Sequence, residues 1–390
     1  MKKVVLRAPV LTQSGYGVHS RQVAAWLIDL ADKGDIKLTI QCVPWGDTTW
    51  YVNPDLLDGF VGKIMKYSGG EVKDADVSFQ LILPNEWIPT LAKYNVGMTA
   101  GVEADKCNPA WIHAINQMDE IVVPSSHVAQ TFKNTSGIIL KPVTVIPEAF
   151  PDEMLDVETI ESFDEIETDY NFLVFGQLTG GDSRDDRKNI AKTLILLINK
   201  FKGMKDVGVV LKTNLGRSSI IDFKNLEHSM TKLLKDLGHD GSPKFYLLHG
   251  NMPNSTLNDL YRSDKIKALV SLTRGEGFGL PLLEAAACGL PIIATNWSAH
   301  KDYLKRDAFL DVKFNLEELS PKRIDNQIFM QGAKWAEVID KSAVDAIEKV
   351  YKYHKIYKTR AVSNQKFIQE NYCIDSIKKF YQEHFKEKLC

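Results

Sequence analysis

Residues 268–304, ALVSLTRGEGFGLPLLEAAACGLPIIATNWSAHKDYL, carry the pattern that decides the fold. The apolar run 268–272 reads as a buried strand, and 291–295 reads as a second. Between them lies a glycine-rich turn, Glu276-Gly277-Phe278-Gly279-Leu280, and a helix that starts near Pro281. Glycine admits positive φ and lets a ligand come close to the main chain. Proline suits a first helical turn, where no backbone N–H is needed. The amino end of such a helix offers unpaired N–H groups and about half a positive charge, a seat for phosphate. Glu276 precedes the helix and Glu284 sits one turn inside it, so a phosphate between them leaves one carboxylate for each end of the ligand. Carboxylates accept hydrogen bonds from sugar hydroxyls. The stretch therefore predicts a site for a diphosphate with a hydroxylated group at either end, that is, a nucleotide sugar.

The strand–helix alternation continues in both directions from this stretch. KVVLRA (3–8) reads as a strand, then a glycine turn with Gly15 and Gly17, then an amphipathic helix to about Leu30. G-Y-G lacks the third glycine of the dinucleotide fingerprint and its acidic partner, so no nicotinamide site is expected there. Gly15 and Gly17 are expected to let the turn pass close to a ligand. Further strands are expected at 38–42, 78–83, 96–101, 120–123 and 142–150, with 44–76 as a long loop region. Ser125 reads as the cap of the following helix rather than as a nucleophile. In the second half, strands are expected at 171–177, 207–213 and 245–250, with helices to about Lys202, near 218–237 and from Ser255. The segment 341–390 has helical periodicity. The reading is α/β, two doubly wound parallel sheets facing across a cleft. The expected boundary puts 1–165 in one domain and 166–373 in the other, with 374–390 packing back on the first.

Charge is uneven along the chain. Residues 1–150 hold 13 Lys and Arg against 15 Asp and Glu; residues 151–169 hold nine acids and no base; residues 170–390 hold 35 bases and 26 acids. The acidic stretch reads as a linker, and a basic second half suits an anionic donor. The overall net charge of −2 gives no general pull toward nucleic acid or anionic membrane. Five scattered cysteines fit neither a zinc site nor a disulfide framework, which points to a reducing, cytoplasmic setting. No apolar run approaches membrane-helix length.

EGFGLPLLE, Glu276 to Glu284, is similar to the E-x7-E pattern of retaining glycosyltransferases of the GT-B fold, most like family 4. That resemblance implies that Glu276 contacts the donor sugar and that Glu284 binds the ribose. The backbone from Gly277 through Phe278 and Gly279 to Leu280 would touch phosphates and sugar. It also implies a donor-phosphate role for Lys188, which follows the strand 171–177. The family's usual arginine is replaced by Gln177, and either Arg184 or Arg187 supplies the charge. The loop Gly250-Asn251-Met252 would hold the base through its backbone, and the Gly15–Gly17 turn would face the donor phosphates and the acceptor. Glu103 stands where many relatives carry histidine and would orient a sugar hydroxyl or the acceptor. Trp297-Ser298-Ala299 replaces the paired glycines of many relatives.

The resulting expectation is a nucleotide-sugar-dependent retaining transferase, using a UDP or GDP sugar and a hydroxyl acceptor, with no cofactor required. Asp182, Asp185 and Asp186 read as a polar loop rather than a metal site. A glycan, a lipid-linked saccharide, a small molecule or a hydroxylated nucleobase all suit as acceptor. A catalytically silent nucleotide-sugar binder and a glycan phosphorylase are the alternatives on the same architecture.

Overall fold

A computed structural model describes residues 1–70, 73–159, 161–177, 184–216, 219–305 and 307–389. The chain divides into two compact units, the first formed chiefly by residues 1–149 and the second by most of 150–373.

The first unit runs β1 (Lys2–Ala8), α1 (Gly15–Asp32), β2 (Ile36–Cys42), α2 (Phe60–Tyr67), β3 (Val77–Leu81), β4 (Tyr94–Met98), α3 (Pro109–Gln117), β5 (Glu120–Val123), α4 (Ser126–Asn134) and β6 (Val143–Val145). Its strands pair in parallel in the order β2-β1-β3-β4-β5-β6. The helix starts follow from local chemistry. The Ser14 side chain accepts the Gly17 N–H at 3.0 Å, and the Ser125 side chain accepts from Val128, the capping role its sequence position suggests. The stretch 44–76, expected as a long loop region, contains α2. Only Val61 and Ile64 of its eight residues are buried, too few to show a helical period.

The second unit runs β7 (Tyr170–Phe175), α5 (Ile190–Lys200), β8 (Val207–Thr213), α6 (Ile220–Asp236), β9 (Lys244–His249), α7 (Asn254–Arg262), β10 (Ile266–Ser271), α8 (Leu280–Ala287), β11 (Ile292–Thr295), β12 (Leu310–Val312), the antiparallel pair β13 (Phe314–Glu318) and β14 (Lys334–Val338), and α9 (Asp340–Tyr372). Its parallel sheet is ordered β12-β11-β10-β7-β8-β9. Both faces are covered. Leu173, Val210 and Leu269 enter one core, while their neighbours Phe172, Val209 and Val270 enter the other. This is the two-residue alternation of strands, and it explains why β8 reads as an unbroken apolar run.

The last helix, α10 (Ile374–Leu389), belongs with the first unit. Tyr381 stacks on Trp26 with ring centroids 5.2 Å apart, and Phe385 meets Phe79 edge-on at 4.9 Å. Lys378 pairs with Asp29 at 2.7 Å, and His384 bonds Glu120.

The units divide at Ala149 and Phe150, upstream of the expected position 165. The acidic segment is short of basic residues but not of anchors. Phe150, Met154, Phe163 and Ile166 are buried in the second unit's core. Arg262 donates to the Met154 carbonyl at 2.8 Å, and Lys265 donates to the carbonyls of Phe163 and Ile166 at 3.1 and 2.8 Å. Cations from elsewhere in the chain thus hold the segment on the unit that follows it. Among the described residues, no helix is long and apolar enough to cross a membrane.

Candidate active site

In the second unit the chain leaves β7 for β8 and β9 on one side and returns for β10, β11 and β12 on the other. Open α/β sheets bind ligands at such a reversal, beyond the carboxyl ends of the strands. The segments that follow β7 and β10 meet there.

Lys188, beyond β7, places its Nζ 2.7 and 2.8 Å from the two carboxylate oxygens of Glu276, beyond β10. Arg187 donates through Nη1 to the Gly275 carbonyl at 2.9 Å and lies 3.5 Å from Glu276 Oε2. Of the two arginines considered for this position, Arg187 is therefore the one beside Glu276; Arg184 is exposed. Glu276 is 6% exposed. Burial by itself would raise its carboxyl, but the charges of Lys188 and Arg187 outweigh burial and hold it at about 2.

Asp182 lies outside the described residues. Asp186 is a helix-start cap, its side chain accepting from Lys188 N at 3.2 Å and Ile190 N at 2.6 Å. Among the described residues, no cluster of His, Cys, Asp and Glu is arranged to hold a metal.

The turn after Glu276 is built as its glycines require. Gly279 caps α8 at φ +96°, and a Cβ there would lie 3.0 Å from the Tyr303 hydroxyl. Tyr303 donates to the carbonyls of Gly279 at 2.7 Å and Phe278 at 3.1 Å, while the Phe278 ring is buried against Tyr303. Gly277 lies between Glu276 and this pinned turn, and Leu280 opens α8 with Pro281 in its first turn.

Glu284, inside α8, is 8% exposed and accepts from the Tyr261 hydroxyl at 3.0 Å. Burial pushes its carboxyl up to about 7 against the opposing effect of that hydrogen bond. The two glutamates of one motif are thus driven in opposite directions, one by two cations and the other by burial.

The loop Gly250-Asn251-Met252 is held by Lys212, at the end of β8. The Lys212 Nζ donates to the Gly250 carbonyl at 2.6 Å, and Asn214 donates to the Asn251 side chain at 2.9 Å. Gly250 takes φ +102°, and Met252 packs against the core. Lys212 is 2% exposed, and burial lowers its ammonium to about 8.

Gly15, Gly17 and Glu103 belong to the first unit. Gly15 has open space where a Cβ would stand. Gly17 does not. A Cβ there would lie 2.0 Å from the Thr12 carbonyl oxygen, so packing of α1 on the preceding turn requires this glycine whether or not a ligand is present. Glu103 is half-buried in the segment after β4.

Sequence reasoning missed Arg274. Its side chain is 2% exposed, donates to the Asp186 carbonyl at 2.5 Å and pairs with Glu337 of β14 at 2.6 Å; its own N–H bonds the Arg187 carbonyl at 2.9 Å. It fixes the backbone that carries Arg187 and Lys188. A lone charge at the end of an apolar strand, two residues before Glu276, was the available signal. Arg274→Met is expected to destabilise the protein by about 2 kcal/mol, less than a fully buried pair because Lys192 remains on Glu337 at 2.7 Å. Thermal unfolding should show a Tm lower by roughly 4–8 °C, and an unchanged Tm would contradict this role.

Residues 228–325 match the family described as glycosyl transferases group 1. The fold itself recurs in solved structures across the whole chain. A glycosyltransferase from Rickettsia africae superposes with a TM-score of 0.66 at 14% identity, covering 100% of this chain and 98% of that one. Sucrose-phosphate synthase from Thermosynechococcus elongatus gives 0.64 at 11% identity, with 99% of each chain covered. HepE of Anabaena, solved with UDP and glucose, gives 0.60 at 10% identity, covering 99% of this chain and 100% of that one. This chain has the GT-B fold. Within that GT-B chain the matched segment runs from within α6 to just past β13 and includes both glutamates of the motif. No curated protein matches the sequence.

Proposed function

We propose that this GT-B chain is a retaining glycosyltransferase that moves a sugar from a nucleotide diphosphate sugar to a hydroxyl acceptor. The observation that carries the proposal is the convergence of Lys188, Arg187 and Glu276 beside the amino end of α8, with Glu284 one turn into that helix. Two cations and a helix start suit a diphosphate leaving group, and they act most strongly where water is excluded. Glu276, held ionised, is suited to orient the donor sugar through its hydroxyls. Glu284, with Tyr261 behind it, is suited to the ribose. The Gly250–Met252 loop, braced by Lys212, is suited to the base. HepE of Anabaena was solved with UDP and glucose, and an E. coli trehalose-6-phosphate structure was solved with UDP-2-fluoro glucose at TM-score 0.62 and 10% identity. Both support a UDP sugar as the first donor to try.

In this reading the bond from the anomeric carbon to the leaving phosphate oxygen breaks, and the bond to the acceptor oxygen forms on the same face. The acceptor's proton passes to the departing phosphate. Lys188 and Arg187 stabilise the charge that develops there. A panel of UDP, GDP, dTDP and ADP sugars tests the reading by thermal shift. One nucleotide series should raise Tm at saturating ligand, and slow donor hydrolysis should exceed one turnover per enzyme. No shift with any of the four would contradict donor binding, and binding without turnover would identify a silent binder.

A further inference from the structure

Ser298 holds a backbone conformation that belongs to glycine. Its φ is +80° and its ψ is −160°, a region in which a Cβ is strained. The chain thus keeps a glycine geometry here without the residue that relieves it. Such an outlier needs a compensating contact, and Ser298 has one. Its Oγ, on a residue 6% exposed, accepts the Glu276 backbone N–H at 3.0 Å. The next residue, Ala299, donates its N–H to the Glu276 carbonyl at 3.4 Å. Both backbone polar groups of Glu276 therefore end on the 298–299 step. Glu276 lies between Gly275 and Gly277, whose backbones have wide conformational freedom. The carbonyl side of the Gly275–Glu276 peptide is held by Arg187 at 2.9 Å and Thr273 Oγ1 at 3.1 Å, and Ser298 holds its N–H side. Glycine at 298 would relieve the strain but would offer no hydroxyl.

We propose that Ser298 is a positioning residue. It bears a strained backbone so that its hydroxyl fixes the Glu276 main chain, and through it the direction in which the Glu276 carboxylate meets Lys188. The catalytic part of this inference rests on the proposed role of Glu276 toward the donor sugar; the structural part does not.

Ser298→Gly and Ser298→Ala separate the two contributions. Both remove the hydroxyl, and only glycine removes the strain. Amide hydrogen exchange of residues 275–277, thermal unfolding and steady-state donor turnover are measured on both. The expected result is exchange at Glu276 at least about 10-fold faster in both variants, because the bond protecting that amide is lost. Tm should be higher for the glycine variant than for the alanine variant. Turnover should fall about 10-fold in both, with donor KM changed by less than about 3-fold, since misplacing a reacting group costs rate. A merely structural residue would give activity that follows stability, with Ser298→Gly at or above the unaltered chain. That outcome, or unchanged exchange at Glu276 in the glycine variant, would overturn the proposal. If the unaltered chain turned over no nucleotide sugar, the glycosyltransferase reading would fail, and the exchange result would still decide the Ser298–Glu276 link.

Discussion

Lys188→Ala is expected to lower kcat by ~10²–10³, the loss found when one preorganised donor to a developing anion is removed. The Lys188 ammonium is the closest cation to Glu276, at 2.7 Å, and stands on a segment held at both ends. Arg274 and Thr273 hold the Arg187 carbonyl, and the Asn189 side chain bonds the Leu272 carbonyl at 3.0 Å. The ammonium is therefore placed before any donor arrives, and in the proposed reaction its strongest interaction would come as charge moves onto the phosphate. In the same proposal ground-state affinity would depend also on Arg187, the helix start and the ribose contacts. The measurement is donor hydrolysis or transfer under saturating donor, beside calorimetric titration of the nucleoside diphosphate. A kcat loss with Kd changed by less than about 10-fold supports the assignment. A variant with unchanged kcat would remove Lys188 from the mechanism.

Glu284→Gln is expected to weaken donor binding on the order of 10- to 100-fold, the range for losing hydrogen bonds to a charged group. The amide keeps the shape of the side chain and can still accept from Tyr261, so the fold is preserved. The variant also carries a pH signature. Burial raises the Glu284 carboxyl from an ordinary 4.5 to about 7. Between those values the folded chain keeps a proton that the unfolded chain has released. Stability therefore falls as pH rises from about 4.5 to about 7, by roughly 3 kcal/mol in total. Denaturant titrations across that window should show the slope in the unaltered chain and its loss in Glu284→Gln. Nucleoside diphosphate affinity should rise with pH through about 7 as the carboxylate forms, and this rise should also be smaller in the variant. Equal pH profiles for the two proteins would contradict both the burial of this carboxyl and its role toward the ribose.

The architecture is legible in the sequence because buried parallel strands are continuous apolar runs. KVVLRA, VGVVLKT and EIVV announce β1, β8 and β5 within a residue or two. The turn at Glu276–Leu280 is equally legible, since positive φ at Gly279 and proline in the first turn are local requirements. Contacts between residues far apart in sequence are not. Tyr261 reaches Glu284 because α7 packs beside α8, and Arg274, just past β10, reaches Glu337 of β14, which pairs with β13 in a separate sheet. The cationic anchors that assign 150–166 to the second unit are Arg262 and Lys265, about a hundred residues downstream. The β13–β14 pair went unread because four of the five β13 residues are exposed and show no alternation. Gly17 carries a second requirement that the sequence does not show: the space where its Cβ would stand is taken by the Thr12 carbonyl.

The most direct test of the central claim is a crystal structure of the chain with a UDP sugar or, if the thermal panel selects another series, that nucleotide sugar. The account predicts the diphosphate at the amino end of α8 within hydrogen-bond distance of Lys188 or Arg187, the ribose on Glu284, and the sugar on Glu276. A donor bound elsewhere, or one with its phosphates clear of the Gly279–Leu282 turn and its ribose away from Glu284, would contradict it.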